Sequence, residues 1–228
     1  MTANEIPPGT ALDTDLPVVY IIDDDASIRL ALQRLLRPFR WSIEAFASAD
    51  TFLESTHPDV KGCIVMDVHL HGRNGVELVK VFRAEGYQNP IVFITGYPDL
   101  HTGITAMKLG AVDFLMKPVD ESELLDALQR AMTVDEIGRR ARAERQILER
   151  RLNTLTRREH QVLSLVVTGL LNKQIALQLG TSEKTVKAQR RRVMEKMEAQ
   201  SLAQLIYMAE RLGLRLAAPS EYSVDTAL

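Results

Sequence analysis

Four short apolar runs in the first half of the chain each lead into polar side chains that could do chemistry. These side chains are Asp23 and Asp24, Asp67, Thr95 and Lys117. Apolar runs of four or five residues that alternate with helical patterns predict buried parallel strands. Because the carboxyl ends of such strands share one edge of the sheet, we expect these side chains to meet there. A carboxylate organised by neighbouring charges can form an acyl phosphate, so the set could be a phosphorylation site.

The elements that must position these side chains form five repeats of strand and helix. The apolar runs predict strands near residues 18–22, 42–46, 62–66, 91–95 and 112–116. Helical patterns follow near residues 26–37, 48–55, 75–85, 99–109 and from 120 onward, with proline and glycine between the elements. Right-handed crossovers then give an α/β, flavodoxin-like (βα)5 domain with a parallel sheet of order 2-1-3-4-5.

The order and spacing of these residues resemble the receiver domain of bacterial two-component response regulators. The resemblance covers about residues 16–135. It implies that Asp67 is the phosphoacceptor, and that Lys117 neutralises the phosphoryl oxygens. It also implies that Thr95 is a switch residue that hydrogen-bonds a phosphoryl oxygen, and that Phe114 is the rotating aromatic of the switch. The implied cofactor is Mg²⁺, held by Asp24, Asp67, the backbone carbonyl of His69 and, through water, Asp23.

The loop after Asp67 departs from the family pattern, because Leu70 and His71 stand where the family usually has Met-Pro. The change makes the loop less rigid but removes no catalytic group. His69 and His71 also raise the alternative of a transition-metal site. With no companion His or Cys nearby in sequence, we interpret them as loop residues.

The last third of the chain predicts a basic bundle of short helices. Thr156 with Glu159 is a capping-box pattern that opens an apolar helix, and Gly169 ends it. Residues 154–213 carry 10 basic and 5 acidic side chains, whereas residues 1–130 carry 11 basic and 19 acidic ones. Charges divided in this way favour separate partners for the two halves, with nucleic acid for the basic half.

The motifs of this segment resemble the LuxR-type four-helix DNA-binding domain. The resemblance rests on Leu155–Leu163, Gly169, Asn172–Ala176 and Lys184–Lys187. It implies that a third helix lies in the major groove of double-stranded DNA. The implied base-reading residues are Lys187, Ala188 and Arg191. Further implied contacts are Lys184, Thr185, Arg190, Arg192 and Lys173, with Arg157 and Arg158 as outlying candidates. Gln189 stands where the family commonly has histidine, which affects the expected base preference.

These observations predict five segments. They are a disordered lead (1–15), the receiver domain (16–135), a helical linker (136–152), the LuxR-type domain (153–215) and a loose tail (216–228). No run of 18 apolar residues occurs, so no transmembrane helix is expected. The single cysteine, Cys63, lies in an apolar run and is interpreted as a buried structural thiol. The expected location is the cytoplasm.

The chain is therefore identified as a member of the NarL/FixJ family of response regulators, most similar to the FixJ and StyR type. Membership implies that a partner sensor histidine kinase phosphorylates Asp67 with Mg²⁺. The phosphorylated protein would dimerise, bind promoter DNA and act on RNA polymerase. It would be no enzyme beyond autophosphorylation from small phosphodonors and slow autodephosphorylation.

Two alternatives compete with this interpretation. One is a haloacid-dehalogenase-like phosphatase with an aspartyl nucleophile, but His69 stands where that class needs a second aspartate. The other is a pseudo-receiver that serves only as a dimerisation module.

Overall fold

The computed structural model describes residues 16–70, 72–97 and 99–214. The predicted lead at residues 1–15, the predicted tail at 216–228 and His71 lie outside the described residues. The chain divides into two compact units, Met1–Arg139 and Arg140–Leu228. Within the described part, no helix is both long and apolar enough to span a membrane.

The described residues form seven strands and nine helices. The strands are β1 (Val18–Ile22), β2 (Ser42–Phe46), β3 (Gly62–Asp67), β4 (His69–Leu70), β5 (Arg73–Asn74), β6 (Ile91–Thr95) and β7 (Asp113–Met116). The helices of the first unit are α1 (Ala26–Leu36), α2 (Ala49–Ser55), α3 (Gly75–Ala84) and α4 (Leu100–Lys108). Helix α5 (Glu121–Leu152) contains the division between the units. The second unit adds α6 (Arg157–Val166), α7 (Asn172–Gln178), α8 (Glu183–Met197) and α9 (Leu202–Arg211).

The first unit contains a parallel sheet with the order β2-β1-β3-β6-β7. This is the predicted order 2-1-3-4-5 once the two-residue strands β4 and β5 are left aside. Those two strands form a separate antiparallel pair directly after Asp67, which was not predicted. The flavodoxin-like fold is thus confirmed, with one small hairpin added beside the candidate site.

Alternating side chains of the central strands pack on opposite faces of this sheet. Tyr20, Ile64 and Phe93 belong to a cluster with residues of α2, α3 and α4, such as Phe52 and Phe82. Their sequence neighbours belong to a second cluster with α1 and α5: Val19, Ile21, Cys63, Val65, Val92 and Ile94. A strand that is apolar at every position is typical of a sheet covered on both faces. The covered faces leave the carboxyl edge of the sheet to carry the polar residues.

The second unit has its own apolar core, built from α6 to α9 and the end of α5. Leu148 of α5 lies in this core together with Val162, Val186 and Leu205. Serine and threonine caps begin three of the helices, because their side chains accept hydrogen bonds from backbone N–H groups of the first turn. At Thr156 the predicted capping box with Glu159 is present in full.

Candidate functional site

The carboxyl edge of the sheet brings the predicted acidic residues and the predicted lysine together. Lys117 follows β7, and its Nζ lies 2.7 Å from Oδ2 of Asp23, which follows β1. The same Nζ lies 2.9 Å from Oδ2 of Asp67, the last residue of β3. Asp23, Asp24 and Asp67 each offer an oxygen within 4.8 Å of the others. Four residues from three parts of the chain therefore form one charged cluster.

Burial makes this cluster electrostatically unusual. Asp23 is fully buried, and this burial raises the pKa of its carboxyl although Lys117 acts in the opposite direction. For Lys117, burial by itself lowers the pKa, but the hydrogen bonds to Asp23 and Asp67 outweigh that effect, so the pKa is raised. Lys117 is therefore held in its charged form between the two carboxylates.

The oxygen donors of this cluster fit a small hard cation. Magnesium prefers oxygen ligands and is usually bound by one or two carboxylates together with water or phosphoryl oxygens. Asp24 and Asp67 could supply carboxylate ligands, with Asp23 beside them. The backbone of His69 is adjacent, since its N–H donates to Oδ1 of Asp67 at 3.3 Å.

A further residue of the site, Arg29, was missed by the sequence reasoning. Its Nη1 donates to the backbone carbonyl oxygens of Asp23 at 2.6 Å and Asp24 at 3.0 Å. The only signal in the sequence is an arginine one turn into the helix that follows the acidic residues. That spacing places the guanidinium within reach of the loop, but it does not reveal which atoms it contacts.

The two predicted switch residues lie on neighbouring strands. Thr95 is fully buried, and its Oγ1 donates to the carbonyl oxygen of Tyr97 and accepts from the Tyr97 N–H, both at 3.2 Å. Phe114 is half-buried, with its ring centroid 6.4 Å from that of Phe93. The ring faces Gly103 of α4, where an added Cβ would lie 3.7 Å from it.

Two aromatic side chains follow the site residues in sequence, two positions after Asp67 and two positions after Thr95. His69 and Tyr97 meet edge to face, with ring centroids 6.3 Å apart. Tyr97 is 80 % exposed, so its ring stands out from the sheet edge. His71, the other histidine of this loop, lies outside the described residues.

Helix α8 of the second unit separates the predicted DNA contacts from the core. Val186, Val193 and Met197 are buried on one face. The predicted contacts that are exposed are Lys184, Thr185, Lys187, Ala188, Arg191 and Arg192 on α8, and Lys173 on α7. The exposed set matches a basic surface that could lie against phosphate and base edges.

Three arginines among the predicted contacts make hydrogen bonds within the domain, and one of these bonds, from Nε of Arg191 to Oε1 of Glu195 at 2.7 Å, stays within α8. Arg190 is half-buried, and its Nη1 donates to Oδ1 of Asn172 at 3.2 Å. Arg158 donates to the carbonyl oxygen of Leu179 at 2.6 Å, at the end of α7. Arg190 and Arg158 therefore link helices of the domain in addition to any role toward DNA.

A partly buried ion pair links α6 to α8. Nζ of Lys196 lies 2.6 Å from Oε2 of Glu159, which also accepts from the backbone N–H of Thr156. The hydrogen bond from Lys196 is the main cause that lowers the pKa of Glu159. The sequence predicted the cap but not the ion pair.

Comparisons with known proteins match both units. Residues 19–129 match the response regulator receiver domain. Residues 153–209 match the bacterial regulatory proteins of the luxR family. Nodulation protein W of Bradyrhizobium diazoefficiens is 45 % identical over 197 residues, which cover 86 % of this chain and 87 % of that protein. Transcriptional regulatory protein FixJ of Azorhizobium caulinodans is 38 % identical, over 91 % of this chain and 97 % of that protein.

A solved structure agrees with these matches. The response regulator StyR is 42 % identical and superimposes with a TM-score of 0.74 over 86 % of this chain and 99 % of its own. The matched segments contain the acidic cluster and the basic helix. The chain therefore belongs to the two-component response regulators that carry a LuxR-type DNA-binding domain.

Proposed function

We propose that Asp67 accepts a phosphoryl group from a partner sensor histidine kinase, and that phosphorylation promotes dimerisation and binding to promoter DNA. The observation that carries the proposal is the position of Lys117, whose Nζ lies 2.7 Å from Asp23 and 2.9 Å from Asp67. An ammonium beside a strand-end carboxylate stabilises the charge that develops on phosphoryl oxygens.

Several residues of the acidic cluster have separate roles in the proposed phosphoryl transfer. A carboxylate oxygen of Asp67 attacks phosphorus, the P–N bond of the phosphohistidine breaks, and its electron pair stays on the imidazole nitrogen. The Lys117 ammonium then contacts the new phosphoryl oxygens while it remains near Asp23. Bound Mg²⁺ would supply positive charge against the phosphoryl oxygens and the attacking carboxylate. Asp24 and Asp67, with Asp23 and the carbonyl of His69, would hold it.

Thr95 and Phe114 are proposed to transmit the change. Thr95 currently bonds only to the backbone of Tyr97 among the contacts of its Oγ1 in the described residues. A phosphoryl oxygen on Asp67 is a stronger, charged acceptor for this hydroxyl. Movement of Thr95 toward it would change the space beside β6 and β7, into which the half-buried ring of Phe114 could turn.

The proposed dimer surface lies beside Phe114. Four exposed apolar side chains of α4 and β7, which we call the apolar patch, surround a shallow cavity of about 910 Å³. They are Leu100, Ile104, Met107 and Met116. Phe114 and Gly103 also line this cavity. Exposed apolar patches commonly mark protein interfaces, so a second copy of the chain is the proposed occupant.

DNA binding by the exposed face of α8 completes the proposed function. A dimer would present two such helices to paired half-sites, as dimeric helix-turn-helix proteins do. RNA polymerase is the proposed partner of the DNA-bound form.

The test is incubation of the protein with acetyl phosphate and Mg²⁺, followed by measurement of the intact protein mass. We expect the mass increment of one phosphoryl group in the wild type and none in Asp67→Asn. A wild type that gains no phosphoryl group from acetyl phosphate or from a phosphorylated kinase would support the pseudo-receiver alternative. Steady release of inorganic phosphate from phosphomonoesters would support the phosphatase.

A further inference from the structure

The loop that carries Asp23 and Asp24 is fixed by contacts to its backbone. The N–H of Asp23 donates to the carbonyl oxygen of Phe46 at 3.2 Å, which ties the loop to β2. The N–H of Asp25 donates to Oδ1 of Asp23 at 2.9 Å. Oδ1 of Asp25 in turn accepts from the N–H of Ser27 at 2.7 Å and caps α1. None of these contacts uses the carbonyl oxygens of residues 23 and 24.

The side chain of Arg29 contacts these two oxygens. One nitrogen, Nη1, donates to both carbonyl oxygens, at 2.6 Å for Asp23 and 3.0 Å for Asp24. The guanidinium is half-buried and rises from the first turns of α1. Hydrogen bonds from a charged donor are stronger than those between neutral groups. The two peptide units that orient the Asp23 and Asp24 side chains are therefore joined through one cation.

We propose that Arg29 is a positioning residue, which orients the carboxylates of Asp23 and Asp24 toward Asp67 for a divalent cation. The inference rests on the proposed cation site of these carboxylates. Groups that orient metal ligands tune the metal site, and their loss typically weakens metal affinity by about 10- to 100-fold.

Because Arg29 is charged, the direction in which its substitution changes Mg²⁺ affinity tests the proposal. A guanidinium close to a cation site repels the cation, so removal of the charge alone would strengthen Mg²⁺ binding. Loss of the two carbonyl contacts would instead release the loop and weaken Mg²⁺ binding. The two explanations therefore predict opposite changes for the same substitution.

The experiment is calorimetric titration of the full-length protein with Mg²⁺, applied to the wild type, Arg29→Gln and Arg29→Lys. Arg34→Gln is the matched control, because Arg34 is an exposed arginine of the same helix. We expect binding about 10-fold weaker in Arg29→Gln. Arg29→Lys should also bind more weakly, because an ammonium does not reproduce the geometry of a guanidinium although it keeps the charge. Thermal unfolding with a chelator reports whether each variant is folded.

The outcomes separate the positioning role from the metal site itself. Weaker binding in folded Arg29→Gln, with Arg34→Gln within about two-fold of the wild type as expected for a screened surface charge, supports the proposal. Equal or tighter binding in Arg29→Gln overturns it while leaving the metal site in place. If Arg29→Gln does not fold, Arg29→Lys decides by the same comparison. A wild type that takes up no Mg²⁺ overturns both the metal site and this inference.

Discussion

Asp23 is a site residue whose burial opposes the charged form of its carboxyl. Its carboxyl is fully buried, and the burial raises its pKa. A carboxyl with a raised pKa in the folded state holds its proton more tightly than in the unfolded chain. Stability is therefore lost as the pH rises from the ordinary aspartate range through the folded pKa, and it stays reduced above that pKa.

We predict that Asp23→Asn stabilises the protein at pH 7 when Mg²⁺ is chelated. The gain in unfolding free energy should be about 1 kcal/mol, the usual size of a single-substitution effect, and should disappear below the ordinary aspartate range. Urea unfolding at pH 7 and pH 3.5 measures both values. Added Mg²⁺ should stabilise the wild type more than the variant, because a ligand of the folded state stabilises it by mass action. A less stable variant at pH 7 would mean that the pair with Lys117 outweighs the burial.

The rings of His69 and Tyr97 lead to a prediction about the lifetime of phosphorylated Asp67. Hydrolysis needs a water in line with the leaving carboxylate oxygen. His69 and Tyr97 stand two residues after Asp67 and Thr95, and their ring centroids are 6.3 Å apart, so we expect both rings to crowd that water. Crowding that misplaces a water slows such a step. We expect Tyr97→Ala and His69→Ala to lose phosphate faster, by roughly ten-fold or about 1.4 kcal/mol of barrier.

The decay of phosphoprotein on gels that separate phosphorylated from unphosphorylated protein measures these rates, after removal of the phosphodonor. Exposed His101 of α4 offers the control His101→Ala, which should decay like the wild type. Slower decay in His69→Ala would show instead that the imidazole assists the water as a general base.

The difference between the residues predicted and those missed has a physical reason. Asp23, Asp24, Asp67 and Lys117 could be predicted to meet because each lies at or just after the carboxyl end of a strand of one parallel sheet. The raised pKa of Asp23 is due first to burial, which depends on the packing around the site and not on residue spacing. Arg29 was missed because its partners are backbone carbonyls, which carry no residue-specific signal.

At the scale of elements, the close approach of α3 to β3 determines how Asp67 is held. A Cβ added to Gly75, the first residue of α3, would lie 2.3 Å from the carbonyl oxygen of Asp67. The N–H of Gly75 also donates to the carbonyl oxygen of Val68 at 2.7 Å. Glycine is thus required for the helix to begin this close to the backbone of Asp67.

We predict that Gly75→Ala costs about 1–3 kcal/mol of unfolding free energy, as overpacking typically does. Because the clash is with backbone, it should also slow phosphorylation of Asp67 by acetyl phosphate. Gly96→Ala is the control, since an added Cβ there meets no atom within 4 Å among the described residues. Equal stability and phosphorylation rates in the two variants would contradict the role given to Gly75.

Helix α8 allows a prediction that separates base reading from phosphate contact. We expect Lys187→Ala and Arg191→Ala to lower affinity for the specific site by about 1–3 kcal/mol each, with a smaller loss on random DNA. Arg192→Ala should weaken both by similar amounts and reduce the salt dependence. Fluorescence anisotropy with specific and random duplexes at several salt concentrations tests this. Equal losses on both duplexes for Lys187→Ala would assign that side chain to phosphate.

The bounds of the helices and longer strands were predictable to within a residue or two, because the apolar periodicity agreed with the positions of proline and glycine between the elements. Strands β1 and β6 have the predicted bounds 18–22 and 91–95. Strands β4 and β5 could not be predicted, because two residues are too short for any periodic pattern. The links between α6, α7 and α8 through Arg158, Arg190 and Lys196 also depend on three-dimensional packing that spacing does not encode.

At the scale of the whole molecule, the division of charge into an acidic and a basic half favours different surfaces for the proposed phosphorylation and the proposed DNA binding. In the proposed function, phosphorylation belongs to the unit that contains the acidic cluster, and DNA binding to the unit that contains the basic helix. Dimerisation can couple phosphorylation to DNA binding. A dimer brings two DNA-binding helices to one operator at a high effective concentration.

We therefore predict that Ile104→Glu uncouples phosphorylation from DNA binding. A charge in the centre of the apolar patch would have to be buried on dimerisation, which is costly without a partner. Sedimentation of the phosphorylated wild type at tens of micromolar, roughly the range where weak dimers form, should show dimers, and Ile104→Glu should show monomers. Phosphorylation should raise DNA affinity in the wild type and have little effect in the variant, although both accept phosphate at the same rate.

Val81→Glu is the matched control for that prediction. Val81 is a similarly exposed apolar residue of α3, at 39 % against 46 % for Ile104, and it lies outside the apolar patch. It should dimerise like the wild type, because the same charge is introduced on a surface that the dimer leaves in water. If phosphorylated Ile104→Glu still gained DNA affinity as a monomer, phosphorylation would act by relieving inhibition of the DNA-binding domain, and the apolar patch would have no part in the switch.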